Sequence, residues 1–230
     1  DGWELLHSID APPLSFKFGS GTYMHETVKL LSFSYDKSKF AIGNYNYNNT
    51  GAVYIYKYNS NLNRYILSDS IKSTYPPSSG GDGYGDACGH NAVLSGDGKK
   101  IIIGCSSYDS SKGRVQVWKL PENRLEYGLS YKLGSNIYGI SGENANGDSL
   151  SPEYNLIGNS VALSDNGKIM VIGGGENEGG GDGRSRIYVW SDTSNDWFQQ
   201  GPDIIGISNA KLGESVDIDG SGIRILVGAA

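Results

Sequence analysis

The two cysteines of the chain, Cys88 and Cys105, have the spacing with the clearest chemical meaning. They lie at equal distances from the middle of a predicted hairpin turn, between Gly96 and Asp97, so a regular antiparallel ladder would place them opposite each other. This spacing favours a cross-strand disulfide. Two alternatives stay open: a pair of buried free thiols, and a metal site in which His90, on the same strand face as Cys88, adds a third ligand.

A second modification signal lies upstream of the cysteines. Asn48 begins the tripeptide Asn48-Asn49-Thr50, which is an acceptor sequence for N-linked glycosylation. Disulfides persist in oxidising compartments. The two features together favour an extracellular, cell-surface or virion-surface location.

The composition favours an all-β globular chain and excludes some partners. The 230 residues include 34 Gly and 16 Tyr, which suits many tight turns between aromatic and β-branched strands. A formal charge of −6, with scattered Lys and Arg, provides no electrostatic footprint for nucleic acid. No apolar run approaches the roughly 20 residues of a membrane-spanning helix, so we expect no membrane insertion in this segment.

An internal repeat organises the chain. Each copy holds a strand, a polar turn and a second strand that ends in Gly. The four copies are LLSFSYDKSKFAIGNY (30–45), NAVLSGDGKKIIIGCS (91–106), SVALSDNGKIMVIGGG (160–175) and ESVDIDGSGIRILVGAA (214–230).

A third and a fourth strand complete the repeat. The third strand occurs as GAVYIYKY (51–58), GRVQVWKL (113–120) and SRIYVWSD (185–192), an alignment that equates Trp118 with Trp190. Four strands that bury one face against a neighbour predict a β-propeller of four-stranded antiparallel blades, with a Greek-key sandwich as the alternative.

We expect a single domain over residues 1–230, an arc of a propeller with three complete blades and partial blades at both ends. The predicted complete blades are residues 24–73, 87–141 and 156–208. A partial blade covers 210–230, and residues 1–11 form an outer strand. Both ends of the chain look cut, so a larger ring is expected.

The blade of residues 158–206 resembles the FG-GAP repeat of integrin α-subunit propellers. The resemblance depends on the glycines before the first strand, Gly158 and Gly213, on the Ser-x-Asp-Gly-like turn, and on the Gly-x-Val-x-Val-Trp strand. WD40 repeats, the rival family, are shorter, with about 40–45 residues per unit.

The FG-GAP resemblance implies calcium, which such blades bind through Asp-x-Asp-x-Asp-Gly loops. Only the last repeat approaches this pattern, with Asp217, Asp219 and Ser221 as the candidate ligands. The alternative is an ordinary turn closed by side-chain hydrogen bonds. Calcium is therefore the one cofactor that the sequence suggests.

The sequence contains no recognisable set of catalytic residues at matching positions of the repeat. His7, His25 and His90 fall at unrelated positions of the repeat. We therefore expect a non-enzymatic interaction or adhesion module that binds protein or glycan partners, or a subunit of a larger assembly. The alternatives are a carbohydrate-active propeller enzyme that uses carboxylates at one face, and a WD40-like intracellular scaffold.

Overall fold

The computed structural model describes Ser8 and residues 31–45, 47–73, 86–108, 112–122, 130–139, 157–174, 182–207 and 210–229. Apart from Ser8, the predicted outer strand of residues 1–11 lies outside this part of the chain. No helix within the described ranges is long and apolar enough to cross a membrane.

The described residues form consecutive antiparallel sheets in which successive strands pair, except that in two sheets the last two strands both pair with the strand before them. Three sheets have four or five strands and the last has two, and their order confirms the predicted all-β propeller architecture. The limits of the individual blades stay a prediction. The strands are β1 (Leu31–Phe33), β2 (Lys39–Asn44), β3 (Ala52–Asn59) and β4 (Arg64–Lys72) in blade 1; β5 (Cys88–Leu94), β6 (Lys100–Cys105), β7 (Arg114–Lys119), β8 (Tyr131–Lys132) and β9 (Ile137–Tyr138) in blade 2; β10 (Ser160–Leu163), β11 (Ile169–Gly174), β12 (Arg184–Ser191), β13 (Asp196–Gln199) and β14 (Ile204–Ile205) in blade 3; and β15 (Ser215–Ile218) and β16 (Ile225–Gly228) in blade 4.

The hydrophobic core lies between neighbouring blades. Alternate residues of a strand point to opposite faces of its sheet, so each blade contributes one set of side chains to the blade before it and another to the blade after it. Between blades 2 and 3 the buried set includes Ile102, Val115, Val117, Val161, Met170 and Ile172.

Paired glycines set the closest approach of the blades. A Cβ atom on Gly104 would lie 2.0 Å from the carbonyl oxygen of Gly158, and one on Gly173 would lie 2.1 Å from that of Gly213. Gly158 and Gly213 also have φ values of 91° and 93°, which residues with a Cβ rarely adopt. The repeated Gly therefore marks contact between the backbones of adjacent blades.

The third strand has a different register from the one expected. Trp118 pairs with Ile101, and the residue in the equivalent place of blade 3 is Tyr188, which pairs with Met170. The expected equivalence of Trp118 with Trp190 is thus displaced by two residues. A shift of two keeps every side chain on the same face, so the hydrophobic pattern could not reveal it.

A bulge brings the two cysteines together. In the pairing of β5 with β6, Asn91 lies opposite Gly104. The centre of this register is one residue further along the chain than the turn midpoint expected from the sequence. Continued without interruption, this register would place Cys88 opposite Ser107. A shift between Cys88 and Asn91 absorbs two residues, and Cys88 pairs with Cys105.

Candidate functional site

The turns between the first and second strands of the blades share one hydrogen-bond pattern. In blade 2, the Ser95 hydroxyl donates to Asp97 Oδ1 over 2.6 Å, while that oxygen also accepts from the Lys99 amide over 2.9 Å. The amide of Lys100 donates to Ser95 Oγ over 3.0 Å. Blades 1 and 3 repeat these contacts with Ser34 and Asp36, and with Ser164 and Asn166.

Blade 4 keeps the same pattern with the two residue types exchanged. Asp219 Oδ1 accepts from the amides of Ile223 and Arg224 at 2.9 and 3.2 Å, and the Ser221 hydroxyl donates to Asp219 over 3.0 Å. The backbone hydrogen bond from Arg224 is the main cause that lowers the Asp219 pKa. Two of the candidate calcium ligands are therefore hydrogen-bonded to each other. The third, Asp217, lies two residues earlier in β15.

Backbone hydrogen bonds join these turns in a row. Tyr35 donates its amide to the Gly96 carbonyl over 2.8 Å, Asp97 donates to Asp165 over 2.9 Å, and Asp165 donates to Gly220 over 3.0 Å. All four turns lie at the same end of their blades, which we call the turn face. The second residue of each turn is thus held in a fixed place on this face.

The turn face carries a shallow pocket of about 320 Å³ that is widely open to solvent. Its lining consists of Tyr35, Asp36, Gly96, Asp97 and Asp165. The Tyr35 side chain is 85% exposed. No Lys or Arg is among the described residues that line it, so the turn-face pocket presents one aromatic ring and three carboxyl groups.

Asp165 has a specific position in this pocket. A Cβ atom on Gly96 would lie 2.2 Å from Asp165 Oδ1, and one on Gly220 would lie 2.2 Å from Oδ2. The carboxylate thus fills the space that the absent side chains of two flanking blades leave. Within the described part of the chain, no side-chain hydrogen bond satisfies this carboxylate.

Asp36 differs from Asp165 because its carboxylate is engaged in its own turn. The hydrogen bond from the Ser34 hydroxyl, followed by that from the Ser38 amide, lowers the Asp36 pKa. Asp36 is therefore ionised at neutral pH. The anionic Asp36 gives the pocket negative charge. The exposed carboxylate of Asp165 can accept a hydrogen bond from water or from a sugar hydroxyl, and can take a proton from it.

A buried polar cluster lies at the opposite end of the inner strand. Cys88 and Cys105 form a disulfide with an S–S distance of 1.98 Å, and the described residues hold no free cysteine. Asp86 and Arg114 form a buried salt bridge beside it. The described residues contain one group of three possible metal ligands, in which Asp86, and not His90, joins the two cysteines.

The remaining candidate, Asn48, lies in a 3₁₀ turn at Tyr47–Asn49. Its side chain is exposed, and its backbone is left-handed with φ 48°. The Thr50 hydroxyl donates to the Ser73 carbonyl over 3.1 Å. Glycosylation of Asn48 stays a prediction, as does the extracellular or virion-surface location.

The fold is similar to those of solved lactonase propellers. A periplasmic gluconolactonase of Pseudomonas aeruginosa matches with a TM-score of 0.52 and 12% identity over 86% of this chain and 49% of its own. A candidate 6-phosphogluconolactonase of Bacteroides uniformis matches with a TM-score of 0.51 and 11% identity over 86% of this chain and 48% of its own. A candidate 6-phosphogluconolactonase of Bacteroides fragilis matches with a TM-score of 0.51 and 13% identity over 92% and 51%.

This chain spans about half the length of the solved structures it matches. No protein-family model matches the chain, and no curated protein matches it. At such identities the similarity establishes the propeller fold alone.

The comparisons contradict the FG-GAP resemblance. The structures that match are lactonase-like propellers, and no FG-GAP model matches. The physical reason lies in the glycines on which the resemblance depended. Gly158 and Gly213 lie where the backbones of adjacent blades of this chain come into contact, so their presence is explained by blade packing and does not require the integrin family.

The expectation of a non-enzymatic adhesion module is wrong as well. The matched structures carry the names of enzymes, the gluconolactonases and 6-phosphogluconolactonases. Catalysis on this fold does not require histidine, because carboxylates also act as general acids and bases. Asp36, Asp97 and Asp165 occupy equivalent or adjacent positions of the repeated turns, and that signal could have indicated a shared pocket.

Proposed function

We propose that this chain contributes the substrate site of a β-propeller hydrolase that opens an unphosphorylated sugar lactone. The observation that carries the proposal is the turn-face pocket, in which Tyr35 and three carboxyl groups line about 320 Å³. The names of the matched structures suggest lactone hydrolysis as the reaction. The residues of the pocket suggest a preference for a lactone without phosphate.

The pocket has the chemistry of a carbohydrate site. An exposed tyrosine ring offers an apolar face to the C–H groups of a sugar and a hydroxyl at its edge. Carboxylate oxygens accept hydrogen bonds from sugar hydroxyls. Tyr35 and Asp97 have these roles in the proposal.

Asp165 is the proposed general base. Its carboxylate takes a proton from a water molecule as that water adds to the lactone carbonyl carbon. The bond from this carbon to the ring oxygen then breaks, the ring oxygen gains a proton, and the product is the open-chain acid. A base in this role needs an accessible oxygen that is not already hydrogen-bonded, and Asp165 fits that requirement.

The charge of the pocket favours a substrate without phosphate. The described residues that line it include Asp36, Asp97 and Asp165 and no cation, whereas phosphate recognition uses Arg, Lys or backbone amides at a helix N-terminus. A phosphorylated lactone would bring like charge towards three carboxyl groups. We therefore expect gluconolactone to be preferred over its 6-phospho derivative.

The experiment is a pH-stat assay of acid release from glucono-δ-lactone and from 6-phosphogluconolactone, each corrected for spontaneous hydrolysis. The wild-type chain is compared with Asp165→Asn and with Asp192→Asn, a control at an exposed carboxylate that pairs with Lys168 outside the pocket. We expect Asp165→Asn to lower the rate about 100-fold or more and Asp192→Asn to leave it unchanged. Equal losses in both variants, or faster turnover of the phosphorylated lactone, would contradict the proposal.

Calcium at Asp217, Asp219 and Ser221 is a separate proposal. Oxygen ligands at alternate positions suit a hard cation, and a site with few carboxylates belongs to the weak class, with dissociation constants of about 10⁻⁴ to 10⁻³ M. A rise in the melting temperature with millimolar calcium, absent in Asp217→Asn, would support it.

A further inference from the structure

The lactonase proposal does not use the buried cluster at the far end of β5. Cys88 begins this strand and the turn-face pocket follows its other end, so the two lie about 20 Å apart at 3.3 Å per residue. Asp86 is 0% exposed, Cys88 4% and Cys105 0%. One ligand atom from each of these three residues lies within 4.8 Å of the other two.

Asp86 is bonded through one carboxylate oxygen only. Its Oδ2 accepts from the Ser73 hydroxyl over 2.5 Å and from Arg114 Nη2. Its Oδ1 is buried and has no hydrogen-bond partner among the described residues. A buried acceptor without a partner is costly and calls for an explanation.

Arg114 places positive charge beside both sulfur atoms. Its Nη2 lies 3.6 Å from Cys88 Sγ and 3.9 Å from Cys105 Sγ. A guanidinium next to a cysteine favours the thiolate, which is the form that binds metal. The Tyr108 ring, 4.4 Å from the guanidinium carbon, packs against this cation and holds it in place.

We propose that reduction of the disulfide converts Asp86, Cys88 and Cys105 into a zinc site. A dithiol reductant supplies two electrons and two protons to the sulfur–sulfur bond and is itself oxidised to a disulfide. Zinc then binds the two sulfurs and the carboxylate, and the two thiol protons pass to solvent. Two thiolates and a carboxylate are ligands that zinc accepts in tetrahedral sites, and water takes the fourth position.

The charges balance in this arrangement. Two thiolates and one carboxylate carry three negative charges, which Zn²⁺ reduces to one. The Arg114 guanidinium neutralises the remaining charge, so the loaded cluster is neutral in its buried setting. The metal also gives the buried Asp86 carboxylate, whose Oδ2 lies 3.6 Å from Cys88 Sγ, a further partner. A hard cation would not select this site, because thiolates favour Zn²⁺ over Ca²⁺ or Mg²⁺.

The test uses the full chain, reduced with a phosphine, and Co²⁺ as the probe, since its thiolate complexes have visible charge-transfer bands. We expect the reduced chain to bind one equivalent of Co²⁺, which Zn²⁺ displaces, and the oxidised chain to bind none. Cys88→Ser should lose the thiolate band, and Asp86→Asn should weaken binding at least about tenfold.

The matched control is Asp203→Asn, which removes a carboxylate that pairs with Arg186 in blade 3 and should leave Co²⁺ binding unchanged. If Asp86→Asn does not fold, as circular dichroism would show, Cys88→Ser and the oxidised chain carry the test. Failure of the folded, reduced chain to bind Co²⁺ would overturn the proposal. So would binding that survives Cys88→Ser, and so would a reduced chain that unfolds and is not refolded by Zn²⁺.

Discussion

The carboxylate of Asp165 lies directly against Gly96 of the neighbouring blade. A Cβ atom on Gly96 would come 2.2 Å from Asp165 Oδ1 and 2.9 Å from its Cα. The φ angle of Gly96 is not positive, so the glycine is needed here for space and not for its backbone conformation. The position of the proposed base thus depends on the absence of a side chain at Gly96, as it does at Gly220 on the other side.

Gly96→Ala should therefore impair lactone hydrolysis at a modest cost in stability, because the new Cβ meets the flexible carboxylate first and the Asp165 Cα only at 2.9 Å. The new methyl group must displace the flexible carboxylate of Asp165, and a misplacement of about 1 Å can reduce turnover up to about 100-fold. The pH-stat assay measures the loss, and circular dichroism verifies the fold. Unchanged turnover would show that Asp165 does not act from this position.

Gly104→Ala should mainly lower the free energy of unfolding, whereas Gly96→Ala should mainly lower turnover. The nearest atom to its new Cβ, at 2.0 Å, is the backbone oxygen of Gly158, which cannot move without separating blades 2 and 3. Overpacking of this kind costs about 1–3 kcal/mol or more. Urea unfolding would measure this, and a midpoint equal to that of Gly96→Ala would contradict it.

The salt bridge of Asp86 gives a pH-dependent prediction. Asp86→Asn keeps the shape of the side chain and removes its titration, so the comparison with wild type isolates the effect of the Asp86 proton. Burial raises the Asp86 pKa above 3.8 in the folded state. The titration of Asp86 therefore stabilises the fold fully below the unfolded pKa, and this contribution is lost as the pH rises through the folded pKa.

The stability difference between wild type and Asp86→Asn should accordingly be larger at pH 3.5 than at pH 7. Urea unfolding at the two pH values measures it, and Asp203→Asn controls for general acid effects. A difference that shrinks on acidification would mean that the Arg114 charge outweighs burial.

Because of Lys39, the free energy of unfolding of wild type should rise at alkaline pH relative to that of Lys39→Met. Its Nζ crosses to blade 2 and donates to the Gly98 carbonyl over 2.8 Å, and burial is the main cause that lowers its pKa below 10.5. The protonated form is thus penalised in the folded state, and the penalty disappears as the pH rises from the lowered pKa towards 10.5. Relative to Lys39→Met, wild type should gain stability over that window in urea unfolding.

The disulfide should contribute about 3 kcal/mol to stability, the amount expected for a loop of this size. The two cysteines are separated by 17 residues in sequence. The variant with both Cys88→Ser and Cys105→Ser should lose this amount in chemical unfolding without metal. An equal stability of variant and oxidised wild type would indicate that the unfolded chain is not constrained by the bond.

The sequence predicts the blade well and its register less well. The apolar alternation and the closing glycines identify strands and their order, because both follow from backbone geometry that every blade shares. The equivalence of Trp118 with Tyr188 could not be deduced, because a shift of two residues preserves the face of every side chain. The disulfide was expected from a hairpin midpoint that is one residue off, and the bulge before Asn91 compensates for the error.

The candidate site was less accessible to sequence reasoning than the fold. Asp36, Asp97 and Asp165 come from three different blades, and what brings them together is a set of backbone hydrogen bonds between turns. Those bonds involve no particular side chain. The buried partnership of Asp86 with Arg114 could not be deduced either, because Asp86 lies before β5 and Arg114 begins β7, 28 residues later.

The exchange of Ser and Asp in the fourth turn has a consequence for how distant copies of this repeat can be detected. In Ser95 and Asp97 the hydroxyl comes first, and in Asp219 and Ser221 the carboxylate does. In both orders the hydroxyl donates to the carboxylate, and side-chain oxygens of the pair accept from the two backbone amides that follow the turn. What recurs from blade to blade is therefore a set of hydrogen-bonding roles. Searches that score each position by residue identity will miss copies that searches by role would recover.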